Sequence, residues 1–480
     1  MVLTIEKGAA MKPSLSPIIV IPLVLGISLS TSVISAVLTP YVDRFEAVAQ
    51  DASIPGIPTV YNSWGSHQTR ITQHSDGSIR LLYLNTDATG KNVAWHLMLR
   101  NLSGQWSQEA SGISTDDVTL MRDARNDRAY VLSWPNSVPT IYSSPGYNGS
   151  VIPGNWQNLP SSRHYGNSGI SKDGTICLKA SHEFATKPYT SVTNTEYACG
   201  SFSDTSQTWS WSDYVSRYIG LRYAYDYIFP NPEGLAQGMY ATSSSDLYKD
   251  ASDFPNLDPN YGTYVFDGIR VYASSLNTDA TWLNTDSKIP ATSSLTSSGV
   301  VLAPYMRVHE SLVDSKGRIF TNYYADNPYD TSVRSMYVSV ANASGSVLFQ
   351  SKWTAVPTFG TTRLIEDSQN RLWLLWTGQG SSATQVWLYP IIESSSGGNI
   401  SFTTGKYTDL SAAFNPYSIQ GSLFVAAPRG GNDKSLYIDA IYNTCWTTYQ
   451  ANTNFSNSQC YNSDNSGHQR VFYARIRLPD

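Results

Sequence analysis

His164 and His182 stand nine residues to either side of Asp173, which opens an Asp-Gly pair between two β-rich runs. Asp-Gly between such runs is a strong hairpin signal, and antiparallel pairing across it brings both imidazoles to the same end of the unit. Paired imidazoles suit proton transfer, because histidine titrates near neutral pH. A lone histidine on a strand is more often structural or exposed, and His74 and His96 are read that way. Other polar side chains stand where comparable runs begin: His67 and Arg70, Arg122, Asn167, Arg222, Tyr225 and Tyr227, Arg307 and His309, Arg363, and Gln420. Arginine offers a carboxylate a permanent, bidentate partner, and tyrosine a second proton carrier. Tyr225 and Tyr227 alternate along one run, as do Arg307 and His309, so each pair is expected to share a face. Glu183 and Asp226 are weaker candidates, for metal binding or for orienting a histidine.

These residues need a scaffold that gathers distant strands. The run from Thr69 to His74, the turn Ser75-Asp76-Gly77-Ser78 and the run from Ile79 to Tyr83 define a strand-turn-strand unit. Equivalent turns are read at Asn126-Asp127, Asp173-Gly174, Glu233-Gly234, Lys316-Gly317, Gln369-Asn370 and Asp433-Lys434, making seven. Successive turns lie 50, 47, 60, 83, 53 and 64 residues apart, spacings that suit four-stranded blades, with an insertion around 244–300. Trp106, Trp156, Trp209, Trp282 and Trp353 recur in register after a third strand and are assigned to packing between blades. The expected fold is all-β: a single seven-bladed β-propeller of four-stranded antiparallel blades over residues 56–480. Ring closure is expected to pair residues 470–477 with strands near 59–64. In such a ring the first strands line a central channel, and their polar residues differ from blade to blade, as one asymmetric site requires.

Composition agrees. Charged residues make up 14% of the chain and aromatics 12%, with 13 Trp and 32 Tyr, an all-β signature. A net charge of −5 with no Lys/Arg block excludes a nucleic-acid footprint. Lys7 and Lys12 precede an apolar stretch from Pro17 to about Ala36, so residues 1–36 read as a secretory signal peptide, the alternative being an uncleaved anchor, and residues 37–55 as a linker. The remainder is expected to be extracellular and monomeric, with no stable membrane partner unless that segment is retained. Cys177 with Cys199, and Cys445 with Cys460, are expected as disulfides. Sequons at Asn101, Asn148, Asn342, Asn399 and Asn454 permit glycosylation.

The third unit, Arg163 to Ile170 followed by Ser171-Lys172-Asp173-Gly174 and ending Ala180-Ser181-His182-Glu183, resembles the seven-bladed propeller polysaccharide lyases, including ulvan lyases and fungal rhamnose-glucuronate lyases. The resemblance implies β-elimination at a uronic acid, with glucuronate linked to rhamnose the expected linkage. It implies catalytic His164, His182 and Tyr227, while the family's neutralising arginine has no counterpart in Gly234 to Tyr240, leaving Arg222, Arg307 or Arg363 to substitute; Arg307 is assigned. Substrate binding is assigned to His67, Arg70, Asn167, Arg222, Tyr225, His309 and Arg363. An acidic polysaccharide is the implied partner. The chemistry needs no cofactor; metal binding is unassigned and a structural calcium stays open. The turns at Asp76-Gly77 and Asp173-Gly174 also resemble the Asp boxes of sialidase-type propellers, so a glycoside hydrolase is one alternative and a propeller lectin another.

Overall fold

A computed structural model describes residues 39–50, 57–59, 67–86, 93–115, 118–154, 156, 167–183, 193–212, 215–218, 222–231, 238–248, 264–275, 287–290, 294–295, 301–302, 306–327, 330–343, 346–357, 360–379, 384–414, 420–443 and 470–480. Among these, helix is limited to one turn, Ser411–Phe414, and short 3-10 turns. Seven antiparallel sheets of four or five strands account for most of the rest, with one two-stranded hairpin. We number the sheets 1 to 7 by their first strands: Ile71–Gln73, Thr119–Arg122, Asn167–Ile170, Arg222–Pro230, Met306–Val313, Thr361–Glu366 and Gln420–Val425.

Local chemistry explains the hairpins. In sheet 1, Gly77 N donates to His74 O at 2.9 Å and His74 N to Ser78 O at 2.9 Å; the same pair of bonds closes the turns Ser171–Thr175, Asp314–Arg318 and Asp367–Arg371. The residue that must turn left-handed is Gly77, Gly174, Gly317 or Asn370, each at positive φ. Aspartate carboxylates cap these turns, Asp367 Oδ1 accepting both Gln369 N and Arg371 N at 2.9 Å. The expected turn at Glu233-Gly234 lies outside the described residues. In sheet 7 the expected tight turn at Asp433-Lys434 is replaced by a longer connection through the 3-10 turn Pro428–Gly430 and Gly431. Gly431 is required there, since a Cβ would collide with the Arg122 carbonyl.

The apolar cores lie between consecutive sheets. Leu82 and Trp95 of sheet 1 pack on Leu120 and Val131 of sheet 2, and Met121 and Tyr130 of sheet 2 on Ile170 and Ile176 of sheet 3. The first strands of sheets 3 and 4 touch. Sheets 4 and 5 share Tyr227, Ile269, Val308 and Tyr323; sheets 5 and 6 share Phe320 and Leu374; sheets 6 and 7 share Leu388 and Ile438. Sheet 7 returns to sheet 1 through Val471 and Tyr473 against Ile71 and Ile79. Each fully buried Leu, Ile or Val in these seams contributes about 1.5–3 kcal/mol. Trp156 and Trp353 are buried in the seams and Trp106 and Trp209 pack against them, while Trp282 lies outside the described residues.

Two expectations about the ends change. Residues 470–477 pair not with 59–64 but with Tyr41–Gln50, which forms the outermost strand of sheet 7, so part of the expected linker is a strand. Val42 and Phe45, separated by a register shift between Val42 and Arg44, pack on the seam of sheets 6 and 7, while Val48 packs on the seam of sheets 7 and 1, so the strand makes apolar contacts on both faces. Ile57–Thr59 instead joins sheet 1. Residues 1–36, the expected signal peptide, lie outside the described residues. Cys177 and Cys199 are directly opposite on neighbouring strands of sheet 3 and form a disulfide, as expected. Cys445 and Cys460 lie outside the described residues.

Candidate functional site

The first strands of sheets 4 and 5 carry the polar residues of most interest, and both are broken by β-bulges. Register shifts fall between Ala224 and Tyr227 and between Val308 and Glu310. A bulge inserts an unpaired residue and re-aims the side chains beside it. The bulges interrupt the backbone alternation at both places, although Tyr227, like Tyr225, meets the His67 ring edge-on, with centroids 6.4 Å apart. Tyr225 takes φ 60°, a left-handed conformation that is strained for a bulky residue, and its ring meets His67 edge-on with centroids 5.9 Å apart. Tyr227 is fully buried and donates its hydroxyl to the carbonyl of His309 at 2.5 Å. The half-buried His309 ring lies edge-on to Tyr324, 4.1 Å away.

Around these bulges the described structure brings together most of the residues singled out from sequence. Asn167 donates from Nδ2 to the carbonyls of His67 (2.7 Å) and Asp226 (2.8 Å), tying sheets 1 and 4 through sheet 3. Its amide is used in positioning. Arg363 donates from Nε to Leu423 O at 2.7 Å and from Nη1 to His309 O at 3.2 Å. The guanidinium groups of Arg70 and Arg363 both lie against Phe424. Arg122 has a different duty: it sits at the turn end, paired with Asp127 and Asp433.

Three charged residues here were not singled out from sequence. Lys179 and Asp226 form a fully buried ion pair at 2.6 Å, Asp226 being a bulge residue next to Tyr225; burial lowers the Lys179 pKa, opposed by Asp226. Glu310 lies between Arg363 (3.5 Å) and Arg429 (3.6 Å), all three buried. Burial pushes the Glu310 carboxyl above its usual range, outweighing the two cations, and depresses Arg429. Arg429 also stacks over Tyr227, its Cζ 4.9 Å from the ring centroid. Signals were available: Lys179 interrupts an apolar run, and Glu310 follows His309 directly. Arg429 had none beyond its Pro-Arg-Gly-Gly turn.

His164 lies outside the described residues. His182 is described as a backbone position of Thr175–Glu183, opposite Asn194. The hairpin register, Asn167 opposite Lys179 and Ile170 opposite Ile176, is the one from which their pairing is expected. Arg222, Arg307 and Gln420 are likewise described as strand positions only. Among the described residues there is no group of three or more His, Cys, Asp or Glu able to hold a metal ion, and Asp226 is engaged by Lys179. His74 is buried, hydrogen-bonded to Arg80, and its pKa is lowered to about 4, chiefly by burial. That fits the structural role read for it.

No protein-family model matches the chain, and no curated protein matches it in sequence. Solved structures do resemble it. A polysaccharide lyase, Uly1, aligns over 90% of this chain and 94% of its own at 10% identity and a TM-score of 0.45. An α-L-arabinanase of Penicillium chrysogenum complexed with arabinobiose aligns over 92% and 98% at 11% identity and 0.40. Virginiamycin B lyase of Staphylococcus aureus aligns over 91% and 100% at 9% identity and 0.37. All three scores are below 0.5, so activity is read from this chain's own residues.

Proposed function

We propose that the seven sheets are the blades of one β-propeller and that the protein is an extracellular polysaccharide lyase cleaving a uronic-acid glycan by β-elimination, with glucuronate linked to rhamnose as the linkage. The observation that carries the reading is the pair of bulges on adjacent first strands, which sets Tyr225 beside His67 and His309 beside Arg363. Strained backbone and bulges gather where side chains must be re-aimed for function.

In this reading Arg307, two residues before His309 at the entry end of the strand, neutralises the uronate carboxylate. Its charge makes the C5 proton acidic enough to remove. Tyr225 takes the phenol role expected of Tyr227, whose hydroxyl is already committed to His309 O. One proton carrier, from the Tyr225, His164 and His182 set, takes the C5 proton; the C4–O4 bond breaks, a C4–C5 double bond forms, and a second member of the set protonates O4. Arg363 and Asn167 act as positioning residues through the His309 and His67 carbonyls.

Incubation with ulvan and with other glucuronate polymers, followed by ultraviolet absorbance of unsaturated uronates, tests the proposal. Growth of that chromophore, lost in His164→Ala, is the expected result. New reducing ends without the chromophore would select a hydrolase instead, and glycan binding without turnover a lectin.

A further inference from the structure

A cavity of about 510 Å³ lies at the opposite end of the first strands from their entry loops, where Asp173, Gly317 and Asp433 of the connecting turns rim it. Its size falls within the roughly 300–1,000 Å³ of small-molecule sites. Phe229, Tyr240, Leu312 and Leu364 make its walls largely apolar, and Glu310 and Arg429 supply buried charge. Arg429 arrives there because Gly431 lets the Pro428–Gly430 turn press against Arg122.

The charges do not balance. Two guanidinium groups, Arg363 and Arg429, share the single carboxylate of Glu310, at separations of 3.5 and 3.6 Å. Arg429 is 6% exposed, yet its Nε and Nη1 have no hydrogen-bond partner, and neither has Arg363 Nη2. Buried N–H donors left unmade are costly, and a buried net positive charge more so. An anion in the cavity beside Arg429 would offset that charge. A bare inorganic anion would offset the charge but leave the apolar walls in contact with water, while a sugar would bring hydroxyls that those walls cannot bond.

We propose that this cavity is a second binding site, distinct from the entry-side chemistry, for a small organic carboxylate with an apolar body, its carboxylate held by Arg429.

The test is calorimetric titration of the full chain with benzoate, benzamide, acetate and chloride. Benzoate is expected to bind saturably, at least tenfold tighter than acetate or chloride, with benzamide weaker than benzoate. Arg429→Gln should weaken benzoate by about tenfold or more, the loss of charge-assisted hydrogen bonds. Should Arg429→Gln fail to fold, Ala343→Trp decides: Ala343 is exposed at the rim, so a bulky ring there should block benzoate while leaving the entry-side activity unchanged. No benzoate binding, binding indifferent to both variants, or equal binding of benzamide or chloride would overturn the proposal. Because the readout is binding, a failure here is separate from a failure to cleave uronates.

Discussion

Replacing Lys179 by Met removes the cation that faces Asp226 at 2.6 Å, in a pair whose side chains are both 0% exposed. At an effective dielectric of 20 the attraction is about 6 kcal/mol, and the desolvation of two ions opposes it with several kcal/mol each, so the intact pair adds little net stability. Breaking it is different, because one buried ion remains. Its cost is capped by the work of neutralising that ion. For Asp226, from an ordinary pKa near 3.9 to pH 7, this is about 4 kcal/mol, and at pH 5 about 1.5 kcal/mol. The sign follows from proton binding. In Lys179→Met the folded state keeps a proton on Asp226 that the unfolded state gives up, so the deficit grows as pH rises through the carboxylate range. Asp226→Asn is the mirror image: the orphaned Lys179 must shed a proton, at about 5 kcal/mol at pH 7 and about 2 kcal/mol at pH 9. The double variant Lys179→Met/Asp226→Leu should return to within about 1–2 kcal/mol of the parent. Urea unfolding followed by tryptophan fluorescence at pH 5, 7 and 9 measures all of this. Single variants within about 1 kcal/mol of the parent at pH 7, or deficits that do not move in opposite directions with pH, would refute the reasoning.

Three further outcomes are expected. Tyr225→Phe should lower kcat on a uronate polymer about 10²–10⁴-fold, the usual contribution of a proton-transfer group, whereas Tyr227→Phe should leave kcat within about tenfold and cost about 1–3 kcal/mol of stability; steady-state kinetics beside unfolding curves separates the two. The parent should lose on the order of 3 kcal/mol as pH falls from 6.5 to 4, because the unfolded chain protonates His74 in that window and the folded one, with His74 near 4, does not; His74→Gln should flatten this part of the stability profile. Replacing Cys177 and Cys199 together by Ala should cost about 2–4 kcal/mol for a bridge that closes a 22-residue separation, read as a lower urea midpoint.

The sequence by itself determined what is local. Asp76-Gly77, Asp173-Gly174, Lys316-Gly317 and Gln369-Asn370 turn the chain where their own backbone preferences demand, so the recurring hairpins and the sheets built on them follow from short windows. Cys177 and Cys199 were readable as partners for the same reason, as neighbours across one strand connection. Tertiary structure decided what depends on distant segments. Tyr41–Gln50 becomes the last strand of sheet 7 only because residues 470–477 present an open edge more than 400 positions away. The bulges at Tyr225 and His309 interrupt the period-two pairing of their strands, because the extra residue is held by neighbouring sheets: Asn167 and Lys179 of sheet 3 engage Asp226, and Arg363 of sheet 6 bonds the His309 carbonyl. Arg429 reaches Glu310 and Tyr227 from a turn whose course is set by contact with Arg122. Spacing along the chain carries no trace of such contacts, since they are stabilised by burial and charge pairing that exist only once the sheets have packed together.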